Sequence, residues 1–132
     1  MEREQFEKLV EEALASLPQK FKELIHNVAV IVEDLPTKET RRTIGVPSRS
    51  NILGLYHGVP YTHRGPYYGN VPPDVIIIYQ QPIERICRSD DEIKERIQEV
   101  VVHEVGHYFG LSDDELRDIE FQIKKRGKLE EI

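Results

Sequence analysis

Apolar residues recur at helical spacing over residues 2–16, where Phe6, Leu9, Val10, Ala13 and Leu14 form a stripe that Leu17 extends. Pro18 predicts the end of that helix, and a second short helical piece is expected around residues 18–25. The period then changes. Asn27-Val28-Ala29-Val30-Ile31-Val32-Glu33 is short and β-branched and predicts a strand, which Asp34-Leu35-Pro36 stops. Residues 36–51 are polar, carry Pro36, Gly45 and Pro47, and predict a connecting loop. Residues 52–56 predict a second strand.

Residues 57–73 hold Gly58, Pro60, Gly65, Pro66, Gly69, Pro72 and Pro73, so a long irregular loop is expected there, with Tyr61, Tyr67 and Tyr68 packing it onto the core. Asp74–Gln81 contains the longest apolar run, Val75–Tyr79, and predicts a third strand limited by Pro82. Ser89 and Glu92 form a capping-box pattern that opens a long helix. Its apolar positions, Ile93, Ile97, Val100, Val101, Val105 and Tyr108, keep the helical period to about Gly110, a natural carboxy-terminal cap. Ser112 and Glu115 repeat the capping pattern and open a last helix through Leu116, Ile119 and Ile123 to Gly127. The sum is an α+β chain whose helices flank a small sheet.

Length and composition narrow the picture further. A chain of 132 residues fits a single domain spanning 1–132. With 39% hydrophobic and 32% charged residues, a globular protein is expected rather than a disordered or membrane-embedded one. The 18 basic and 24 acidic residues give a net charge of −6, the wrong sign for a nonspecific nucleic-acid binder. Arg41, Arg42, Arg49 and Arg64, expected in loops, have no stacking motif beside them. One cysteine, Cys87, cannot form an intrachain disulfide and is read as a small buried hydrophobe. The amino terminus lacks the apolar stretch of a signal peptide, and no run approaches the ~20 residues of a membrane span, so a cytoplasmic location is expected.

The chemistry is concentrated in His103-Glu104-Val105-Gly106-His107, an H-E-x-x-H pattern inside the long predicted helix. Residues four apart share a helix face, with Cβ atoms ~5–6 Å apart, so both imidazoles can reach one Zn²⁺ at ~2.0–2.1 Å. Glu104 lies about 100° further round the axis, where it borders the metal and can take a proton from zinc-bound water. The continuation through Gly110 to Asp113 extends the pattern to H-E-x-x-H-x-x-G-x-x-D. A chance match to all of it is on the order of 10⁻⁴, which outweighs a pair of merely packed helix histidines.

Gly110 has a mechanical reason. On a continuing helix Asp113 would sit about 240° from His107, away from the metal face. A left-handed glycine ends the helix and reverses the chain, so Asp113 can swing back as a third ligand. Two histidines, one carboxylate and an open position for water make a catalytic zinc site. Asp113 also suits a helix start, and Asp114, Glu115 and Asp118 are the alternative carboxylates. His57 and His63 are expected in the long loop, within possible reach of the metal, and His26 at the surface. Lys124-Lys125-Arg126 reads as a solvated helix end.

The extended motif resembles the zincin metallopeptidases, and most closely the compact bacterial zincin-like metallopeptidase family. Phe6–Leu14, Asn27–Asp34, Leu53–Pro60, Pro73–Tyr79 and His103–Asp114 are all similar to recurring blocks of that family, so the resemblance covers most of the chain. It implies a minimal zincin fold: a small mixed sheet, an active-site helix and a helix after it. It also implies one Zn²⁺ per chain, with His103, His107 and Asp113 as ligands and Glu104 as general base. The spacing is metzincin-like, yet this chain has Asp113 where metzincins have His. Its only methionine is Met1, so it has no methionine turn.

The function expected is zinc-dependent hydrolysis of peptide bonds in a peptide or protein substrate. Zincins hold substrate along an edge strand, for which Asp74–Gln81 is the candidate. Tyr56, Tyr61 and Tyr108 are candidate oxyanion helpers. The alternative is a non-catalytic or latent zinc-binding or interaction module, with the long loop covering the site. An intact Glu104 favours the hydrolase, because a purely structural zinc needs no general base.

Overall fold

A computed structural model describes residues 1–44, 52–57, 74–112 and 114–121, apart from the side chains at 43, 44 and 107. The elements are α1 (Arg3–Ala15), α2 (Gln19–Leu24), β1 (Ala29–Glu33), α3 (Lys38–Ile44), β2 (Gly54–His57), β3 (Val75–Tyr79), α4 (Gln80–Ile86) and α5 (Asp90–Tyr108). A further helix, α6, covers residues 114–121. The protein is thus α+β, built on a small mixed sheet as the periodicity and the family resemblance imply.

The sheet has the order β1-β3-β2. β1 runs parallel to β3, with Ala29 opposite Val75 and Glu33 opposite Tyr79. β2 runs antiparallel to β3, with Gly54 opposite Ile78 and His57 opposite Val75. Alternation along each strand sorts the side chains. Val30, Val32, Tyr56, Ile76 and Ile78 join the core under the helices. The row Ile31, Ile77 and Leu55 lies on the other face.

α1 and α5 provide most of the core opposite that sheet. Phe6, Leu9, Val10 and Ala13 of α1 pack with Ile93, Ile97, Val100, Val101, Val102 and Val105 of α5. Burying each of the larger of these side chains is worth about 1.5–3 kcal/mol. α5 can lie close to β2 because Gly54 carries no side chain: a Cβ there would collide with Cγ1 of Val100 and stand 3.1 Å from the Ile77 carbonyl oxygen. Gln98, buried within this interface, donates from Nε2 to the Ala13 carbonyl at 2.8 Å, satisfying an acceptor that the end of α1 leaves open.

A polar latch closes the end of the sheet at which β1 and β3 finish. The Arg3 guanidinium donates to the Val32 carbonyl at 2.7 Å and to Gln80 Oε1 at 2.9 Å, and it pairs with Asp34. Gln80 in turn donates to the Met1 carbonyl at 2.9 Å. The start of α1 is thereby tied to the ends of β1 and β3.

Two expectations are corrected. First, Asp74–Gln81 is not one strand and not an edge. The strand ends at Tyr79, Gln80 starts α4, and β3 lies between β1 and β2. Pro82 falls in the first turn of α4, where a missing N–H costs nothing, so it belongs to a helix start rather than a strand limit. Second, residues 36–51 are not all loop, since α3 occupies Lys38–Ile44 and carries Arg41 and Arg42. Thr37 caps it by accepting from the Thr40 amide at 3.1 Å, with Glu39 in the first turn and the two arginines in the last. A short helix held by capping and charge has no apolar stripe to reveal it. The expected loop from residue 58 to 73 and the helix beyond residue 121 lie outside the described residues.

Candidate metal centre

The site is built on α5 from its first residue. Ser89 Oγ accepts from the Glu92 amide at 3.2 Å, and Glu92 Oε2 reaches back to the Arg88 amide at 2.8 Å. This is the capping box the spacing predicts, shifted by one amide on the return bond. Nineteen residues of helix then carry the chain to Tyr108. Gly110 has φ +73°, and the Leu111 amide donates to the Gly106 carbonyl at 2.9 Å. That six-residue bond around a left-handed glycine is the Schellman stop expected at Gly110.

The chain then turns back. Ser112 Oγ accepts from the Glu115 amide at 3.1 Å and donates to its carboxylate at 3.2 Å, opening α6. Leu116 of α6 is buried against Gly106 of α5; a Cβ on Gly106 would collide with Cδ2 of Leu116. Within the H-E-x-x-H sequence, Gly106 therefore lets the following helix pack directly against the motif's backbone.

His103 is exposed and Glu104 half-buried. His103 Nδ1 lies 3.2 Å from Glu120 Oε1 of α6. A carboxylate only accepts, so in a hydrogen bond across this contact the ring donates from Nδ1. His107 follows one turn later on helical backbone; its side chain, and Asp113 altogether, lie outside the described residues. Among the described residues no three His, Cys, Asp or Glu side chains converge as a metal site, but that set leaves out two of the three expected ligands. The donors that can be judged fit zinc: an imidazole oriented by a carboxylate, and a second histidine position four residues on along an uninterrupted helix.

Two of the three alternative carboxylates, Asp114 and Glu115, are engaged at the start of α6. Asp114 pairs with Arg117 at 3.4 Å and Glu115 completes the cap with Ser112, both exposed. Asp118 is exposed as well. His57 alternates away from Gly54 and Tyr56, which face α5, so strand geometry turns it from the motif helix. His63 lies outside the described residues.

Sequence reasoning missed the contacts around Tyr56 and Tyr108. The Tyr56 ring stacks on Tyr108 at 4.1 Å, and its hydroxyl donates to buried Asp74 at 2.8 Å. Tyr108 also meets Phe109 edge-on at 5.2 Å. This ties the end of α5 to β2 and commits the Tyr56 hydroxyl to Asp74, which weakens its candidacy as an oxyanion helper. Glu120 is the other omission, and no local pattern marks it. Its only trace is its place one turn beyond Leu116 on an amphipathic helix.

Cys87 lies outside this region, partly buried beside a cleft of about 120 Å³ that Arg96, Glu92 and Glu99 help to line. Burial pushes its thiol pKa up, Arg96 opposing. Burial, with the Glu33 charge adding to it, likewise raises the Tyr79 phenol. No helix among the described residues is long and apolar enough to cross a membrane.

Comparison with known proteins agrees with this architecture. A conserved hypothetical protein from Thermus thermophilus has a similar solved structure, with a TM-score of 0.53 and 22% identity over 82% of this chain and 94% of that one. At that identity the likeness speaks to fold alone. No curated protein matches the sequence. The family match is more direct, running over residues 25–123 and so taking in the sheet, the motif helix and the return helix together. The chain belongs to the zincin-like metallopeptidase family.

Proposed function

We propose that this chain is a zinc-dependent peptide hydrolase in which His103, His107 and Asp113 hold the metal and Glu104 is the general base. The observation that carries the reading is an H-E-x-x-H sequence on one unbroken helix, ended by a left-handed glycine that reverses the chain directly after the motif. A zinc ion held there supplies a Lewis acid for the scissile carbonyl and the attacking water. Glu104 accepts the proton of that water at its carboxylate and returns it to the leaving amine.

The strand suited to hold substrate is β2. Among the described residues it pairs on one side only, with β3, and it lies against α5 through Gly54 and Tyr56. An extended peptide added along its outer edge would draw affinity from main-chain hydrogen bonds. Tyr108, at the end of the motif helix, remains a candidate for the developing oxyanion.

The first test is zinc content by elemental mass spectrometry on protein purified without chelator or metal-binding tag. About one zinc per chain is expected, lost in His103→Ala. The second is Glu104→Gln, which should lower peptide hydrolysis by about 10²–10⁴-fold while zinc stays bound. No zinc uptake by the unmodified chain overturns the reading. Zinc bound without hydrolysis of any peptide leaves a latent or non-catalytic module on the same scaffold.

A further inference from the structure

Glu120 stands outside the H-E-x-x-H-x-x-G-x-x-D pattern, yet its carboxylate meets the first histidine of that pattern. The side chain of His103 is 60% exposed, so packing does little to fix the imidazole plane and a directed hydrogen bond weighs correspondingly more. Glu120 itself is only 27% exposed and sits on a helix whose position is determined elsewhere.

That position comes from a ladder of two rungs between α5 and α6. In one rung Leu116, 2% exposed, packs on the bare backbone of Gly106. In the other, Glu120 meets His103. Leu116 and Glu120 are four residues apart and Gly106 and His103 three apart, so each pair shares a helix face. The helices run in opposite senses, which matches 106 with 116 and 103 with 120. Docking of Leu116 therefore delivers the Glu120 carboxylate to Nδ1 rather than leaving it in solvent.

We propose that Glu120 is the positioning residue for His103: its carboxylate holds Nδ1–H and aims Nε2 at the metal. The proposal rests on the zinc reading above and deepens it. A carboxylate behind a ligating imidazole fixes its tautomer, restrains its ring and raises its basicity, and such partners typically contribute about 10–100-fold in metal affinity.

The test uses the whole chain in two measurements. In metal-free protein, long-range ¹H–¹⁵N correlation reads the His103 tautomer. Nδ1–H is expected in the unmodified chain, with a shift toward Nε2–H in Glu120→Ala and retention in Glu120→Gln, whose amide oxygen still accepts. In a zinc titration against a competing chelator, Glu120→Ala should bind about 10–100-fold more weakly, with Glu120→Gln between the two. Circular dichroism monitors folding, and the near-isosteric Gln variant carries the test should Ala disturb it.

Equal zinc affinity in the unmodified chain and Glu120→Ala overturns the proposal. An unmoved tautomer, with Gln as damaging as Ala, also overturns it, since Glu120 would then be a ligand itself. An unmodified chain that takes up no zinc instead overturns the hydrolase reading and the metal half of this proposal with it. The tautomer measurement still decides the pairing in that case.

Discussion

The two ends of α5 obey different rules. From Ile93 to Val102 the helix serves the core: Ile97, Val101 and Val102 are fully buried between α1 and the sheet, and the one buried polar side chain, Gln98, is satisfied by the Ala13 carbonyl. From His103 onward the same helix keeps only Val105 among its core side chains, carries exposed and half-buried polar groups, and accepts a glycine at 106 that costs about 1 kcal/mol of helix propensity relative to alanine. That glycine strengthens nothing locally. It opens the surface that Leu116 fills, and through Leu116 it sets the distance between the motif and α6. One stretch of the helix is optimised for burial and the other for the placement of neighbouring side chains.

Substitutions can pull these two ends apart. Ile97→Ala, in the buried half, should cost about 2–5 kcal/mol in denaturant unfolding, through lost burial and an unfilled cavity. Zinc affinity of the chains that remain folded should change little. A large drop in affinity at unchanged stability would show that the buried half also tunes the site. Gly106→Val, in the other half, should cost less stability, about 1–3 kcal/mol, because Leu116 must shift to admit the branched side chain. Its larger effect should be on zinc affinity, as α6 and Glu120 move away from His103. If unfolding and zinc titration instead report equal losses for both variants, the division within α5 is wrong.

The smallest effect is expected at Cys87, next to the start of the helix. Its raised pKa means that the folded chain holds the thiol proton more tightly than the unfolded chain does. The stability this contributes is present below the ordinary thiol range and is lost as pH rises through the folded value. Alkylation by iodoacetamide should accordingly be slow at neutral pH in folded protein, faster in denatured protein, and should accelerate as pH rises. Fast alkylation of the folded chain at neutral pH would contradict the burial that sets this shift.

Periodicity made most of the elements legible because their signals are local. The apolar stripe of α1, the β-branched runs of β1 and β3, the capping box at Ser89 and the stop at Gly110 all reappear in the structure within a few residues of where spacing predicts them. The failures were equally specific. α3 is a polar helix held by Thr37 and its charges, so a search for apolar stripes passes over it. Pro82 carries the same letter whether it stops a strand or starts a helix, and the direct junction of β3 with α4 decides between them.

At the site, the motif residues His103 and Glu104 and the return signals at Gly110 and Ser112 could be read directly from spacing. This is because helix geometry converts a separation of four residues into a shared face without reference to the rest of the chain. Glu120 and the stacking of Tyr56 on Tyr108 could not be read that way. The partners lie 17 and 52 residues apart along the chain, and they meet only because α6 folds back on Gly106 and β2 lies against α5. The order of the strands belongs to the same class, since β1, β2 and β3 have patterns that fit an edge or a centre equally well. Local sequence specified the motif residues to which the proposed chemistry is assigned. Long-range packing specified which carboxylate stands behind His103 and which strand lies between the other two.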